Sequence, residues 1–251
     1  WQLSYGELIT YATPGFFAFG LFAYPAGWLA DKWSRDGMMC VFFFGIGLAA
    51  IATSYSETPL QIGLGLFVIG MFAAIYHPVG LAIVTMKWKD TGMRIAVNGV
   101  WGNLGVACAA LFTGYMIDNA GWRTAFVLPG LFSLVIGFVY MGLRWSDILI
   151  ERKEAKASSA EVSEVMSQSY RTLLIRVSAI IFLTASVSSI VFQSTTFALP
   201  KMFDERLQGL AVELSKLTNS LTFLGQSDVA TVIGSLAFLV FAVASIAQLV
   251  V

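Results

Sequence analysis

Residues 61–86, QIGLGLFVIGMFAAIYHPVGLAIVTM, contain no Asp, Glu, Lys or Arg. A bilayer's hydrocarbon core is about 30 Å thick and an α-helix rises about 1.5 Å per residue, so roughly 20 mostly apolar residues cross it. Lipid offers the backbone no water, so a spanning segment must satisfy its amides internally, as a helix or as a closed barrel. The stretch lacks the polar–apolar alternation of a barrel strand and is predicted as a spanning helix. The same test selects the windows 11–31, 38–55, 95–117, 124–144, 173–199 and 229–251. The expected fold class is an all-α polytopic membrane protein with seven helices.

Composition agrees with this reading. Of 251 residues 57% are hydrophobic and 12% charged, about half the roughly 25% of a soluble domain. Fifteen Lys and Arg balance fifteen Asp and Glu, which leaves no basic excess for nucleic acid. Cys40 and Cys108 stand alone in apolar runs, so neither a metal site nor a disulfide framework is expected. Enzyme signatures are absent too, including H-E-x-x-H, G-x-S-x-G and the ATP-binding G-x-x-x-x-G-K-[ST]. No enzyme activity and no cofactor are expected. The chain opens on Trp1 and stops in an apolar run at Val251, and is read as a fragment.

Positive residues near span ends are retained on the cytoplasmic side. Placing 32–37, 87–94 and 145–172 inside, with Arg144 and Arg176, gathers eleven of the fifteen: Lys32, Arg35, Lys87, Lys89, Arg94, Arg144, Arg152, Lys153, Lys156, Arg171 and Arg176. Arg123, Lys201, Arg206 and Lys216 fall outside. Residues 146–172 are charged and Ser-rich and read as a cytoplasmic linker between a bundle at 1–145 and the first helices of another at 173–251. Residues 200–228 carry Leu207, Leu210, Leu214 and Leu217 at helical spacing, which suits either an interfacial helix on the outer face or an ordered outer loop.

At the inner end of the first window stands Gly27-Trp-Leu-Ala-Asp31-Lys32-Trp-Ser-Arg35-Asp36. Small, acidic and basic groups four residues apart share one stripe, which can dock against another helix and hold one gate state closed. These residues resemble the G-x-L-A-D-[RK]-x-G-R signature of major facilitator superfamily transporters. Ser34 replaces its second Gly, and Asp36 stands where a basic residue is usual. Gly121-Trp122-Arg123-Thr-Ala-Phe126 is similar to the family's G-W-R-x-x-F turn between helices five and six. The resemblance covers the whole chain as helices two to eight of twelve. It implies a secondary transporter moving a small solute by alternating access, monomeric, in a bacterial inner membrane, with Gly27, Asp31, Lys32 and Arg35 as the gating motif. Ile75 to Gly80, Arg94 and Gly99-x-x-Gly102-Asn103-x-Gly105 look somewhat like fosmidomycin-resistance-type exporters. Leu66 stands where the family's helix-four pattern has Arg, and Ala109, Ala110 and Thr113 replace the Gly, Pro and Gly of its antiporter pattern.

His77 is the only histidine and lies inside a span. An intramembrane titratable group is a candidate for proton coupling, and a neutral imidazole bonded beside the Pro78 kink is the structural alternative. Asn98 and Trp101 are candidate cavity residues, while Gly105, Ala109 and Thr113 recur every four residues and are expected to pack on a neighbouring helix. Ser189, Gln193 and Thr196 share one face of the sixth window, with Thr184 and Ser188 adjacent, and are read as lining a cavity. A seven-helix receptor is the rival reading. A retinal protein is disfavoured because 229–251 has no Lys for a Schiff base.

Overall fold

The computed structural model describes residues 3–87, 91–158, 168–219 and 229–247, and these contain helices and no strand. In chain order they are α1 (Tyr5–Lys32), α2 (Arg35–Ser54), α3 (Pro59–Ala73), α4 (Tyr76–Lys87), α5 (Thr91–Ala120), α6 (Thr124–Ser158), α7 (Gln168–Asn219) and α8 (Val229–Ala247). The chain divides into two compact units, one of 1–102, 120–160 and 245–251, the other of 103–119 and 161–244.

Helix starts are set by local chemistry, because the first four amides of a helix have no partner inside it. Ser4 and Glu7 form a capping box at α1, Thr58 and Gln61 another at α3 with Pro59 in its first turn, and the Ser34 hydroxyl accepts from the Gly37 amide at α2. The window 61–86 is interrupted between α3 and α4. The cause is Pro78: it has no N–H to give the carbonyl of Ala74 one turn earlier, and its ring crowds that carbonyl. The Ile75 amide bonds instead to the Phe72 carbonyl at 3.1 Å. Between α5 and α6 the chain turns at Gly121, whose φ of +81° is left-handed. Arg123 reaches across to the Ser56 carbonyl at 3.2 Å and lies over the Trp122 ring, which meets Phe126 edge-on. The G-W-R-x-x-F pattern is thus a turn pinned to the loop between α2 and α3.

The first unit packs α2 between α6 and α3, and α1 on α3. Glycines bring the backbones together. A Cβ on Gly47 would lie 2.8 Å from the Gly130 carbonyl oxygen, and one on Gly130 2.9 Å from that of Gly47. On α3, the Leu66 carbonyl oxygen lies 2.8 Å from where a Cβ on Gly15 would stand, so the position at which the family pattern has Arg is used here for packing on α1. Ala26, Ala30, Met38, Met39, Ile75 and Val79 form the buried core of this unit.

Three segments bear on these expectations. Five described segments are long and apolar enough to cross a bilayer: Arg35–Ser54, Pro59–Met86, Thr91–Ala120, Thr124–Lys153 and Val229–Ala247. Window 11–31 is helical within α1 and diluted by Pro14, Pro25, Tyr11 and Tyr24, and window 173–199 is helical within α7, where the described residues give a shorter apolar stretch, Thr172–Thr184. Second, α6 continues to Ser158, so 146–158 of the expected linker is helix, while 159–167 lies outside the described residues. Third, α7 runs through Pro200 to Asn219, interrupted at Leu207 (φ −115°, ψ 15°), so 200–219 takes the helical one of the two alternatives. Leu210 and Leu217 are exposed there, and 220–228 lies outside the described residues.

Gly47→Ala is expected to lower stability by about 1–3 kcal/mol, because a backbone carbonyl must move to admit the methyl. Gly121→Ala, which meets nothing within 4 Å, should cost only the left-handed strain of about 1–2 kcal/mol. Thermal unfolding of the purified protein checks both, and a neutral Gly47→Ala would contradict the close α2–α6 crossing.

Candidate functional site

The Gly27 to Arg35 motif lies where α1 gives way to α2. Gly27 admits Pro78, whose ring carbon would stand 3.3 Å from a Cβ at that position. Asp31, with 66% of its side chain exposed, pairs at 2.7 Å with the half-buried Arg35, four residues on across the break between α1 and α2. Lys32 holds its ammonium 4.5 Å above the Trp28 ring. An exposed pair at this spacing contributes only about 0.3–0.5 kcal/mol, so Asp31 and Arg35 do not by themselves hold α1 to α2.

The strong contact is one residue further on. Asp36, in the first turn of α2, is fully buried. Its Oδ1 accepts from the Tyr140 hydroxyl at 2.5 Å, and its Oδ2 from Arg144 Nε at 3.1 Å and Nη2 at 2.6 Å. Arg144 also pairs with Asp147. A turn later on α6, Glu151 Oε2 accepts from the Ser34 hydroxyl at 2.6 Å and from the Asp36 amide at 3.1 Å. The first turn of α2 is therefore capped twice, by its own Ser34 and by a carboxylate from α6, and an anion at a helix N-terminus is favoured by the helix dipole. Sequence reasoning treated Asp36 as a departure from a pattern and Glu151 as linker. The available signal was Tyr140, Arg144, Asp147 and Glu151 at spacings of three and four, a polar stripe at the inner end of an apolar helix.

The candidate solute-facing residues divide between the two units. In the first, His77 is exposed at the start of α4, with its ring edge-on to Phe19 at 5.7 Å and to Tyr76 at 5.6 Å. Asn98 Oδ1 accepts from the Tyr76 hydroxyl at 2.9 Å, so Tyr76 links α4 to α5 and belongs with the predicted pair. Trp101 is exposed. In the second unit Gln193 and Thr196 are half-buried on α7, Thr184 and Ser188 are exposed, and the Ser189 side chain lies outside those described. A cleft of about 350 Å³ between α2 and α3, lined by Thr53, Ser56, Gln61 and apolar neighbours, includes none of the predicted residues.

The small-residue stripe is corrected. Gly105, Ala109 and Thr113 are exposed, and Gly102 and Gly105 would meet nothing within 4 Å if given a Cβ. The packed face of α5 is instead Ala110 and Gly114 against α8: a Cβ on Gly234 would stand 2.5 Å from the Ala110 carbonyl oxygen. A repeat of four fits both faces of a helix rich in small residues, and only the arrival of the neighbour selects one.

The family model described as Major Facilitator Superfamily matches residues 2–251. The quinolone resistance protein NorB of Staphylococcus aureus, in strains JH9, Newman and COL among others, is 29% identical over 127 residues. That alignment covers 49% of this chain and 27% of each relative. No solved structure matches.

Removing one partner of a buried ion pair leaves the other charge uncompensated and costs about 3–5 kcal/mol. Arg144→Ala is expected to destabilise the protein by that amount, and Asp31→Asn by less than about 1 kcal/mol. Chemical unfolding in detergent orders the two variants, and equal effects would remove Asp36 and Arg144 from the centre of this site.

Proposed function

The chain belongs to the major facilitator superfamily, and from that premise we propose that it is part of a secondary active transporter that moves a small solute across a membrane by alternating access. The observation that supports this most is the family match along 2–251, coupled with described helices long and apolar enough to cross a bilayer. Family membership favours this reading over the receptor-like alternative. The protein is an integral, multi-pass membrane protein, and a bacterial inner membrane is its proposed location, given relatives from Staphylococcus aureus.

In this reading residues 1–145 form most of the first bundle, 146–172 join it to the second, and 173–251 begin the second. His77, Asn98 and Trp101 from the first part and Ser189, Gln193 and Thr196 from the second line the solute pathway. The relatives' name, quinolone resistance protein, favours an exported, partly aromatic solute. Exposed Trp101 and the ring-flanked His77 suit such a solute, since aromatic faces bind planar rings by stacking and edge contacts. The transporter works as a monomer, without a cofactor and without enzymatic chemistry.

Gly27, Asp31, Lys32 and Arg35 act at the inner gate. The Asp36 to Arg144 network holds α2 to α6 as a rigid base, and the exposed Asp31 and Arg35 pair is free to exchange partners as the gate moves. Proton coupling is assigned to His77, the single histidine of the sequence, inside the span Pro59–Met86.

The test uses the complete protein in proteoliposomes, with a fluorescent quinolone as the probe solute. Gradient-driven flux that depends on pH is expected, and His77→Ala should retain flux while losing its pH dependence. Unchanged pH dependence in that variant would remove His77 from coupling, and no flux under any gradient would overturn the transporter reading for this solute class.

A further inference from the structure

The second unit contains a carboxylate that no part of the gating motif explains. Asp118 lies in the last turn of α5, at the end that the distribution of Lys and Arg places outside. Its Oδ2 accepts from the Thr231 amide at 2.7 Å and from the Thr231 hydroxyl at 2.6 Å. Thr231 is the third residue of α8 and is buried, so its amide is one of the four at that end with no partner inside the helix. Asp118 therefore caps α8 from another helix, with its negative charge at the positive end of the helix dipole.

The approach behind this contact is built into both helices. Ala110, Gly114 and Asp118 stand one turn apart on the same face of α5. A Cβ on Gly114 would collide with the Ala230 carbonyl, and one on Gly234 with that of Ala110. Two glycines without side chains thus bring the α8 backbone within reach of a side chain as short as Asp. In sequence the two helices lie on opposite sides of the 146–172 segment, so under alternating access their outer ends must part when the pathway opens outward.

We propose that Asp118 is an outer latch: its carboxylate holds the first turn of α8 against the last turn of α5 while the outer side is closed, and lets go when that side opens. The latch rests on the alternating-access reading above. It is two-state by construction. A hydrogen bond from a backbone amide to a carboxylate is made or broken over a fraction of an ångström, and once the helices part both groups reach water at the membrane border. Loss of a capping side chain typically shifts a helix equilibrium roughly 2- to 30-fold, enough to redistribute two conformations of similar energy without unfolding either.

The test is a distance measurement in the full-length protein. Spin labels at Tyr55 and Arg206, both exposed, report on the outer ends of the two halves. Asp118→Ala is expected to raise the ratio of long to short distances by roughly 2- to 30-fold, the cap range given above. Asp118→Asn, which keeps an acceptor oxygen but no charge, should give a smaller rise in the same direction, as should Thr231→Ala, which keeps the amide donor. These milder variants decide the matter if Asp118→Ala does not fold. An unchanged distance distribution in folded variants, with only a lower melting temperature, would overturn the latch and leave Asp118 a static cap. A shifted distribution with no solute flux in the unsubstituted protein would uphold the latch while the transport reading failed, so the two fail separately.

Discussion

Burying a carboxylate without compensation costs several kcal/mol, and the first unit is organised around the solution to that problem at Asp36. The side chain has no exposed surface, yet each of its oxygens accepts from α6, one from Tyr140 and the other from Arg144. The register of α2 against α6 follows from this, because a slide of either helix by one turn would strand a charge. Further along the same pair of helices, Gly47 and Gly130 let the backbones touch, and Ser133 donates to the Phe43 carbonyl at 2.9 Å. The ionic end sets the register and the glycines set the separation.

The same device occurs twice. Glu151 of α6 serves the unpaired amides at the start of α2, and Asp118 of α5 serves those at the start of α8. In water a helix end can be capped by solvent. At the border of a bilayer, where water is scarce, a carboxylate from a neighbouring helix both satisfies the amide and ties two helices together. Such ties are directional, unlike the apolar contacts of Ala26, Met38 and Val79.

The Gly27 to Arg35 motif gains a different emphasis from the geometry. Its most visible charges, Asp31 and Arg35, form an exposed pair of small energetic weight, whereas the residue that breaks the family pattern, Asp36, is the one locked in place. Placing an acid where a base is usual demands a base elsewhere, and Arg144 supplies it. Gly27 is held by contact with Pro78, the residue that interrupts the third span, so the motif touches the break beside His77.

Much of the architecture was legible in the chain. Runs such as 61–86 leave a backbone no choice but helix in lipid, and Gly121-Trp122-Arg123 announced a turn because only glycine accepts its left-handed φ at no cost. Local rules of this kind need no neighbour. The predicted stripe at Gly105, Ala109 and Thr113 was displaced to Ala110 and Gly114 because a helix rich in small residues offers several equivalent faces. Likewise Asp36 and Glu151 read as a pattern break and as linker, being 115 residues apart in sequence and yet 3.1 Å apart in space. The sequence by itself determined that the chain is helical, which segments suit a membrane and where they turn, since backbone satisfaction and steric limits act within a few residues. Which faces meet, and which charges can be buried, was decided only by the tertiary structure, because the energy of a buried charge depends on partners that the order of residues does not bring together.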